Sequence, residues 1–332
     1  MKICEVGEFG LIRLLQEETQ TPGVIVGIGD DAAVVQPTPD HVTLLTTDML
    51  VEGVHFILTT TDAWSLGWKA MAANLSDIAA MGGNPRHALI SLALPQDCQV
   101  EFVQHLYQGM RALAKEYNVG IIGGDTVSSL QGLVLNVVVT GEALPQKVCY
   151  RSGAQCGDVV ALTGTVGDSA AGLWLLGQKE AQEEPWAKPL QERHLRPRPQ
   201  VAWGKILGEA GINSLNDISD GLASEANEIA EASGVSIELR AADVPLSPEV
   251  LQAAGRARIN PLEWALYGGE DYQLLSTMSP DTLAQLQREM PQLPLAVIGT
   301  VSRGQGVYLR QSDGQRALLQ PRGYNHFQQE DL

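Results

Sequence analysis

Carboxylates in this chain gather where apolar runs begin or end, beside glycine, serine, threonine or asparagine. The instances are Gly29-Asp30-Asp31, Thr46-Thr47-Asp48, Asn74-Leu75-Ser76-Asp77, Gly123-Gly124-Asp125-Thr126 and Asn216-Asp217-Ile218-Ser219-Asp220-Gly221. Gly268-Gly269-Glu270-Asp271 has the same character. Hydroxyl, amide and carboxylate oxygens are the hard ligands that Mg2+ prefers, and Mg2+ keeps several waters while bridging to phosphate oxygens. Singly, each segment has a plainer reading. Thr46–Asp48 reads as a strand entering a turn and Gly123–Asp125 as a turn after a strand. Asp217 and Asp220 straddle a predicted helix start, where Asp commonly serves as a cap. Asp77 lies off the apolar stripe of its helix, with Asn74 one turn before it. The repetition shifts the weight, because carboxylates converging at segment ends destabilise a fold unless a cation neutralises them.

Other chemistries find less support. The turn Thr163-Gly164-Thr165-Val166-Gly167-Asp168-Ser169 follows a predicted strand and opens a helix, whose first N–H groups favour anions. It has no Gly-Lys-Ser/Thr and is not a Walker A loop. No GxGxxG follows a strand, and no HRD, DFG or GxSxG element appears. His55 stands seven residues after Asp48, placed either to hold structure or to hydrogen-bond a substrate group. Arg151 reads either as a surface cation or as a bidentate phosphate clamp.

The elements that must position these residues follow from periodicity. Trp64, Trp68, Met71, Leu75 and Ile78 form one apolar stripe over four turns, with Asp62 to cap the helix and Gly82-Gly83 to end it before Pro85. Further helices are predicted over Gly7–Glu18, Val100–Tyr117, from Ser169, over Gln200–Ala210 and over Leu222–Ser233. Strands are predicted at Ala33–Gln36, Val42–Thr47, His87–Leu94, Val119–Ile122, Leu133–Val139, Val159–Thr163, Ser214–Ile218, Ser236–Leu239, Tyr272–Thr277, Ala296–Val301 and Gly306–Leu309. The polar, Pro-interrupted stretch Gln178–Pro199 reads as a surface excursion. Helices and strands mix without strict alternation, which points to an α+β or mixed α/β fold. At 332 residues two domains are expected, with the Pro- and Gly-bearing connection 143–157 as boundary, giving domains 1–142 and 143–332.

Composition excludes some partners. Thirty-nine acidic against 22 basic residues give a net charge of −17, with no cationic excess for nucleic acid or an anionic membrane. Four cysteines without a CxxC pair read as free thiols. With no signal-like N-terminus and no apolar run long enough to span a bilayer, a cytoplasmic protein is expected.

Taken in order, the motifs resemble the thiamine-monophosphate kinase family, which shares an ATP-binding superfamily with aminoimidazole ribonucleotide synthetase, selenophosphate synthetase and a hydrogenase-maturation dehydratase. The resemblance runs through Gly7-Glu8-Phe9, Gly27–Ala32, Thr46–Asp48 with His55, Asn74–Gly82, Gly123–Thr126 and Arg151-Ser152-Gly153-Ala154. It continues through Gly164–Gly172, His194-Leu195-Arg196-Pro197, Asp217–Leu222, Gly268–Tyr272 and Gly323-Tyr324-Asn325-His326-Phe327. It implies transfer of the ATP γ-phosphoryl group to thiamine monophosphate, giving thiamine diphosphate and ADP. It also implies an aminoimidazole ribonucleotide synthetase-like fold. The N-terminal α/β domain would bind ATP and Mg2+ and pair with its twin in a homodimer, and the C-terminal α/β domain would complete the active site. By position, Asp30, Thr46, Thr47, Asp48, Asp77, Asp125, Asp217 and Asp220 would hold several Mg2+ ions. Gly124, Asp125, Arg151, Ser219 and Tyr107 would touch ATP, and His55, Glu270 and Tyr324 would line the thiamine phosphate site. Of the opening pair the resemblance selects Asp30 as ligand, leaving Asp31 to fix the turn.

This chemistry suits the residues. The acceptor is a phosphate monoester, largely dianionic at neutral pH because its second pKa is about 6. It needs no general base, so direct in-line transfer without a phosphoenzyme is expected. Within the superfamily, Cys4 lacks the Gly-rich context that selenophosphate synthetase requires. The ending Glu330-Asp331-Leu332 lacks the terminal Cys of the hydrogenase-maturation enzyme. Aminoimidazole ribonucleotide synthetase is the nearer rival, and His55 and Gly323–Phe327 favour the kinase. A non-catalytic ATP or divalent-cation sensor is the alternative from another class, and the intact Asp at every motif speaks against it.

Overall fold

The computed structural model describes residues 1–15, 21–29 and 31–322, and the chain divides into two units. The first comprises Met1–Ile78 with Gly83–Gln146, and the second comprises Ala79–Gly82 with the chain from Lys147 onward.

The first unit runs α1 (Ile3–Leu15), β1 (Val24–Val26), β2 (Val34–Val35), β3 (Val42–Val51), α2 (Ala63–Ala80), β4 (Asn84–Pro95), α3 (Val100–Glu116), β5 (Gly120–Ser129) and β6 (Val134–Ala143). β1 and β2 form a small antiparallel pair. The main sheet has the order β3-β6-β4-β5, antiparallel except for the β4–β5 pair. β6 alternates as predicted, burying Leu135, Val137 and Val139 on one face. Helix α2 starts where Asp62 accepts the Ser65 N–H at 2.9 Å and stops at Gly82, whose φ of +68° suits glycine. It departs from the one-stripe expectation. Ser65, Lys69, Asn74 and Ser76 are buried with the apolar face, because the many alanines of α2 let neighbours close in on every side. α2 and α3 meet through reciprocal glycines. A Cβ on Gly67 would lie 2.0 Å from the Leu106 carbonyl oxygen, and one on Gly109 would lie 1.8 Å from that of Trp64.

The second unit runs β7 (Val159–Thr163), α4 (Asp168–Leu176), α5 (Ala187–Leu195), α6 (Val201–Ala210), β8 (Ser214–Asp217), α7 (Leu222–Ser233) and β9 (Ser236–Arg240). It continues α8 (Pro248–Ala257), α9 (Pro261–Tyr267), β10 (Leu274–Met278), α10 (Pro280–Glu289), β11 (Leu295–Ser302), β12 (Gly306–Arg310) and β13 (Arg316–Leu318). Its mixed sheet has the order β13-β12-β9-β11-β7-β10-β8. Val160, Leu162, Leu275 and Ile298 of the sheet pack with Leu222, Ala226 and Ile229 of α7, and a second core joins α4, α5 and α8. The stretch Gln178–Pro199, expected to be a surface excursion, contains α5, which buries Leu190 and His194. Its low apolar content hid it. Helices α8, α9 and α10 go beyond the helices expected from periodicity, and their starts carry a local signal. Each opens on Ser-Pro or Asn-Pro, with Ser247, Asn260 and Ser279 accepting a first-turn N–H at 3.1 Å.

Candidate functional site

In the first unit, β3 and α2 bring two of the expected ligands together. Alternation puts Thr46 and Asp48 on the same side of β3 as buried Leu50. From α2, the Asp77 carboxylate accepts the Thr46 hydroxyl. Asn74, a turn earlier on α2, is wholly buried; its Nδ2 donates to the Ala70 carbonyl. His55 folds back on the strand it follows, its Nδ1 accepting the Val51 N–H at 2.9 Å. A neutral ring held that way carries its proton on Nε2 and is a donor there.

The other side of this sheet is different. Thr47 points away from Thr46, and its hydroxyl accepts from Asn136 Nδ2 at 2.9 Å. Strand register sets Asp125 level with Ser91, Asn136 and Met49, whereas Asp48 is level with Val137 and Ile90 on the buried face. The side chains of Thr47 and Asp125 therefore belong to the exposed face and do not join Thr46, Asp48 and Asp77 within the unit. Gly124 has a structural need of its own, since a Cβ there would lie 1.9 Å from the Ile90 carbonyl oxygen. Tyr107 lies in α3, 7% exposed, with the Arg111 guanidinium over its ring. Burial pushes its hydroxyl up to about 12 and leaves no open ring face for a base.

In the second unit, the segment from Asn216 to Gly221 joins β8 to α7. Asp217 is buried at the strand end and Asp220 is exposed. Glu225, which no sequence motif singled out, organises the turn. Its Oε1 accepts the Asp220 N–H at 3.0 Å and the Ser219 hydroxyl at 3.2 Å. Its Oε2 accepts Asn216 Nδ2, which also donates to Glu228 at 2.9 Å. Burial first, and then the neighbouring Glu228 carboxylate, raise Glu225 well above the usual carboxylate range. Arg151 is tied to the same group, its Nε lying 3.0 Å from Asn216 Oδ1 and 3.2 Å from Glu228 Oε2. The signal for Glu225 and Glu228 was present as two acids three apart in the helix that follows the Asp motif.

The loop Gly268–Tyr272 is zipped to that turn. Glu270 N–H donates to the Ser219 carbonyl at 2.7 Å, and Tyr272 N–H to that of Ile218 at 2.9 Å. Both donors sit at positive φ, +65° and +48°. A Cβ on Gly269 would lie 2.2 Å from the Ser219 oxygen, so glycine is required for this approach. Asp271 is buried against α4, accepting the Gly167 N–H at 2.6 Å and the Ser169 N–H at 2.9 Å. The Gly-rich turn read as a candidate anion cradle is thus filled by one of the chain's own carboxylates. Asp168, beside it, accepts from Thr165, Arg193 and Ser247. Asp31 is exposed. The expected ligand Asp30 and the expected substrate contact Tyr324 lie outside the described residues.

The donors at these positions are oxygen, as Mg2+ requires. Among the described residues no three His, Cys, Asp or Glu side chains converge enough to hold a metal by themselves. One or two carboxylates with water and substrate phosphate completing the shell is the usual way Mg2+ is held, so the residues present suit it.

Family models for AIR synthase related proteins match this chain, the N-terminal domain over residues 29–143 and the C-terminal domain over 155–311. Thiamine-monophosphate kinase of Aquifex aeolicus is 39% identical over 98% of this chain and 100% of its own length. That of Bacillus subtilis is 40% identical over 96% and 99%. Among solved structures, AaThiL complexed with AMPPCP and TMP is 39% identical with a TM-score of 0.79, covering 98% of this chain and 99% of that one. A structure of hydrogenase maturation protein HypE, 20% identical at a TM-score of 0.75, shares the fold. With two AIR synthase-type domains in a mixed α/β architecture and full-length relatives at this identity, the chain belongs to the thiamine-monophosphate kinase family.

Proposed function

We propose that this protein transfers the γ-phosphoryl group of ATP to thiamine monophosphate, giving thiamine diphosphate and ADP. The observation that carries the reading is the 39% identity across 98% of the chain to a kinase seen with AMPPCP, an ATP analogue, and TMP. Asp48 and Asp77 with Thr46, Asp217 with Asp220, and Asp30 would supply Mg2+-binding oxygens, while Asp125 and Thr47, on the opposite face of the sheet, would supply theirs apart from the Thr46 group. Magnesium held by these oxygens would offset the charge of the phosphates. Arg151, held by Asn216 and Glu228, Ser219, held by Glu225, and Gly124 contact ATP. His55 donates from Nε2 to the acceptor, and Glu270 and Tyr324 are further contacts of thiamine monophosphate. A dianionic phosphate attacks without a general base, and a histidine with Nδ1 already occupied as acceptor serves as donor rather than base.

The partner of the exposed sheet face is a second copy of this chain. Leu45, Met49 and Val127 are 72, 55 and 52% exposed on it, an apolar row that a monomer would leave in water. Leu45→Glu with Met49→Glu should halve the mass in sedimentation; an unchanged mass would refute pairing through this face. All four cysteines are free and no described helix is long and apolar enough to cross a membrane, which supports a cytoplasmic location.

The deciding assay is ATP and thiamine monophosphate with Mg2+, following thiamine diphosphate by chromatography. Product should form without a radiolabelled protein adduct from γ-labelled ATP. No product with this acceptor, but turnover on thiamine or another acceptor, would overturn the reading.

A further inference from the structure

The motif His194-Leu195-Arg196-Pro197 has no part in the chemistry described so far, yet its histidine reaches the proposed substrate loop. His194 is 5% exposed, in the last turn of α5. Its Nδ1 lies 3.0 Å from Ser169 Oγ and 3.5 Å from Glu270 Oε2. Each side of that contact is fixed independently. Ser169 stands in the first turn of α4 with its N–H on Asp271. α5 is held hard against α4, because a Cβ on Gly172 would lie 2.2 Å from the Leu190 carbonyl oxygen and 2.8 Å from the His194 Cβ. The loop is pinned at Gly268, where a Cβ would lie 2.3 Å from that of Ala170, and at Glu270, through its backbone bond to Ser219.

We propose that His194 is a positioning residue, holding the Glu270 carboxylate for the cationic, amine-bearing part of thiamine monophosphate. This rests on the reading of Glu270 as a substrate contact. Glu270 is partly exposed and carries a negative charge, so it suits the thiazolium or the aminopyrimidine amine and not the phosphate. A glutamate loses several rotatable bonds' worth of freedom when it engages a ligand, and a donor behind it removes part of that cost beforehand. With the proton on Nδ1, the ring N–H is shared between Ser169 Oγ, which then accepts, and Glu270 Oε2 on the buried side, and the other carboxylate oxygen is left for the ligand. The present 3.5 Å separation is of the kind that tightens when substrate arrives.

The test uses the full-length enzyme and compares two variants of one residue. Glutamine at 194 places its amide nitrogen near Nε2, whereas asparagine places it near Nδ1. His194→Gln should raise KM for thiamine monophosphate about tenfold with KM for ATP within about twofold, and His194→Asn should restore most of the loss. Equal behaviour of the two variants, or parallel shifts in both KM values, would overturn the proposal. A cycle with Glu270→Ala separates it from the underlying reading. If Glu270→Ala alone leaves KM for thiamine monophosphate unchanged, the assignment of Glu270 is wrong and the proposal falls with it. If Glu270→Ala raises that KM and His194→Gln adds its full effect on top, Glu270 stands and His194 does not act through it. No further effect of His194→Gln in the Glu270→Ala background is the supporting result.

Discussion

The backbone N–H of Glu270 donates to the carbonyl of Ser219 at 2.7 Å, and this bond makes one loop pair of two acidic motifs far apart in the sequence. Neither motif can move without the other. Ser219 is itself held by Glu225, and Glu270 sits at a φ of +65° that an isolated glutamate would avoid. The proposed nucleotide and substrate contacts of this unit therefore share a backbone.

Gly269→Ala tests that coupling. Its Cβ would lie 2.2 Å from the Ser219 oxygen, so the two loops must separate. A loss of about 1–3 kcal/mol is expected from the overpacking, read as a lowered urea midpoint. KM should rise for both substrates together, because both loops shift. A variant with normal stability and normal kinetics would show that the close approach is dispensable.

How far the sequence carried this site depends on the kind of contact. Asp48, Asp77, Asp217 and Asp220 stand out as candidate ligands because carboxylates recur beside apolar runs, and their role as ligands is a proposal. Glu225 carried only a weak signal, its spacing of three from Glu228 after the Asp motif, since a glutamate in the first turn of a helix is ordinary until burial is known. Asp271 was read in one motif and the Gly-rich turn in another. That the first fills the second is a tertiary fact with no local signal. The stripe of α2 was read correctly, while its burial on all sides depends on neighbours that periodicity does not report. The facing of Thr47 and Asp125 needed only alternation and register, and the register came from pairing with β6 and β4.

Asn216→Ala tests the seat of Arg151. The amide presents its oxygen to Arg151 and its nitrogen to Glu225 and Glu228, so one side chain orients the cation and separates two acids. Without it KM for ATP should rise about tenfold, the size of one lost charge-assisted hydrogen bond, with a smaller change for thiamine monophosphate. If Arg151→Ala raises KM for ATP and Asn216→Ala does not, Arg151 is positioned by other means.

Asp271 should make stability depend on pH. Burial outweighs the two N–H donors of α4 and pushes its carboxyl up to about 7, against an ordinary value of 3.8. The unfolded chain then releases this proton first as pH rises. The stabilising contribution is complete below about pH 4, is lost progressively up to about pH 7 and is constant above, for a total of roughly 4 kcal/mol. Asp271→Asn has no such titration. Urea unfolding at pH 4.5, 6 and 7.5 should show the stability of the native chain converging on that of the variant, or falling below it, as pH rises. Parallel pH dependences would mean that the native carboxyl is already ionised at pH 4.5.

The last prediction separates metal-binding carboxylates from structural ones. Asp48 shares its face of β3 with Thr46, whose hydroxyl is bonded to Asp77, so both acids fall in one proposed ligand group. Asp220 lies a few residues from Asp217 with Glu225 behind it. Structural carboxylates lose stability when neutralised, whereas crowded ligands awaiting a cation gain it. Asp48→Asn and Asp220→Asn should abolish Mg2+-dependent turnover by at least about a hundredfold, since each removes charge stabilisation from the transferring phosphoryl group. In EDTA both should melt at or above the native temperature, and added Mg2+ with ATP should raise their melting points less than that of the native enzyme. Near-native rates in both variants, or a lowered melting point in EDTA, would assign these acids to the fold instead.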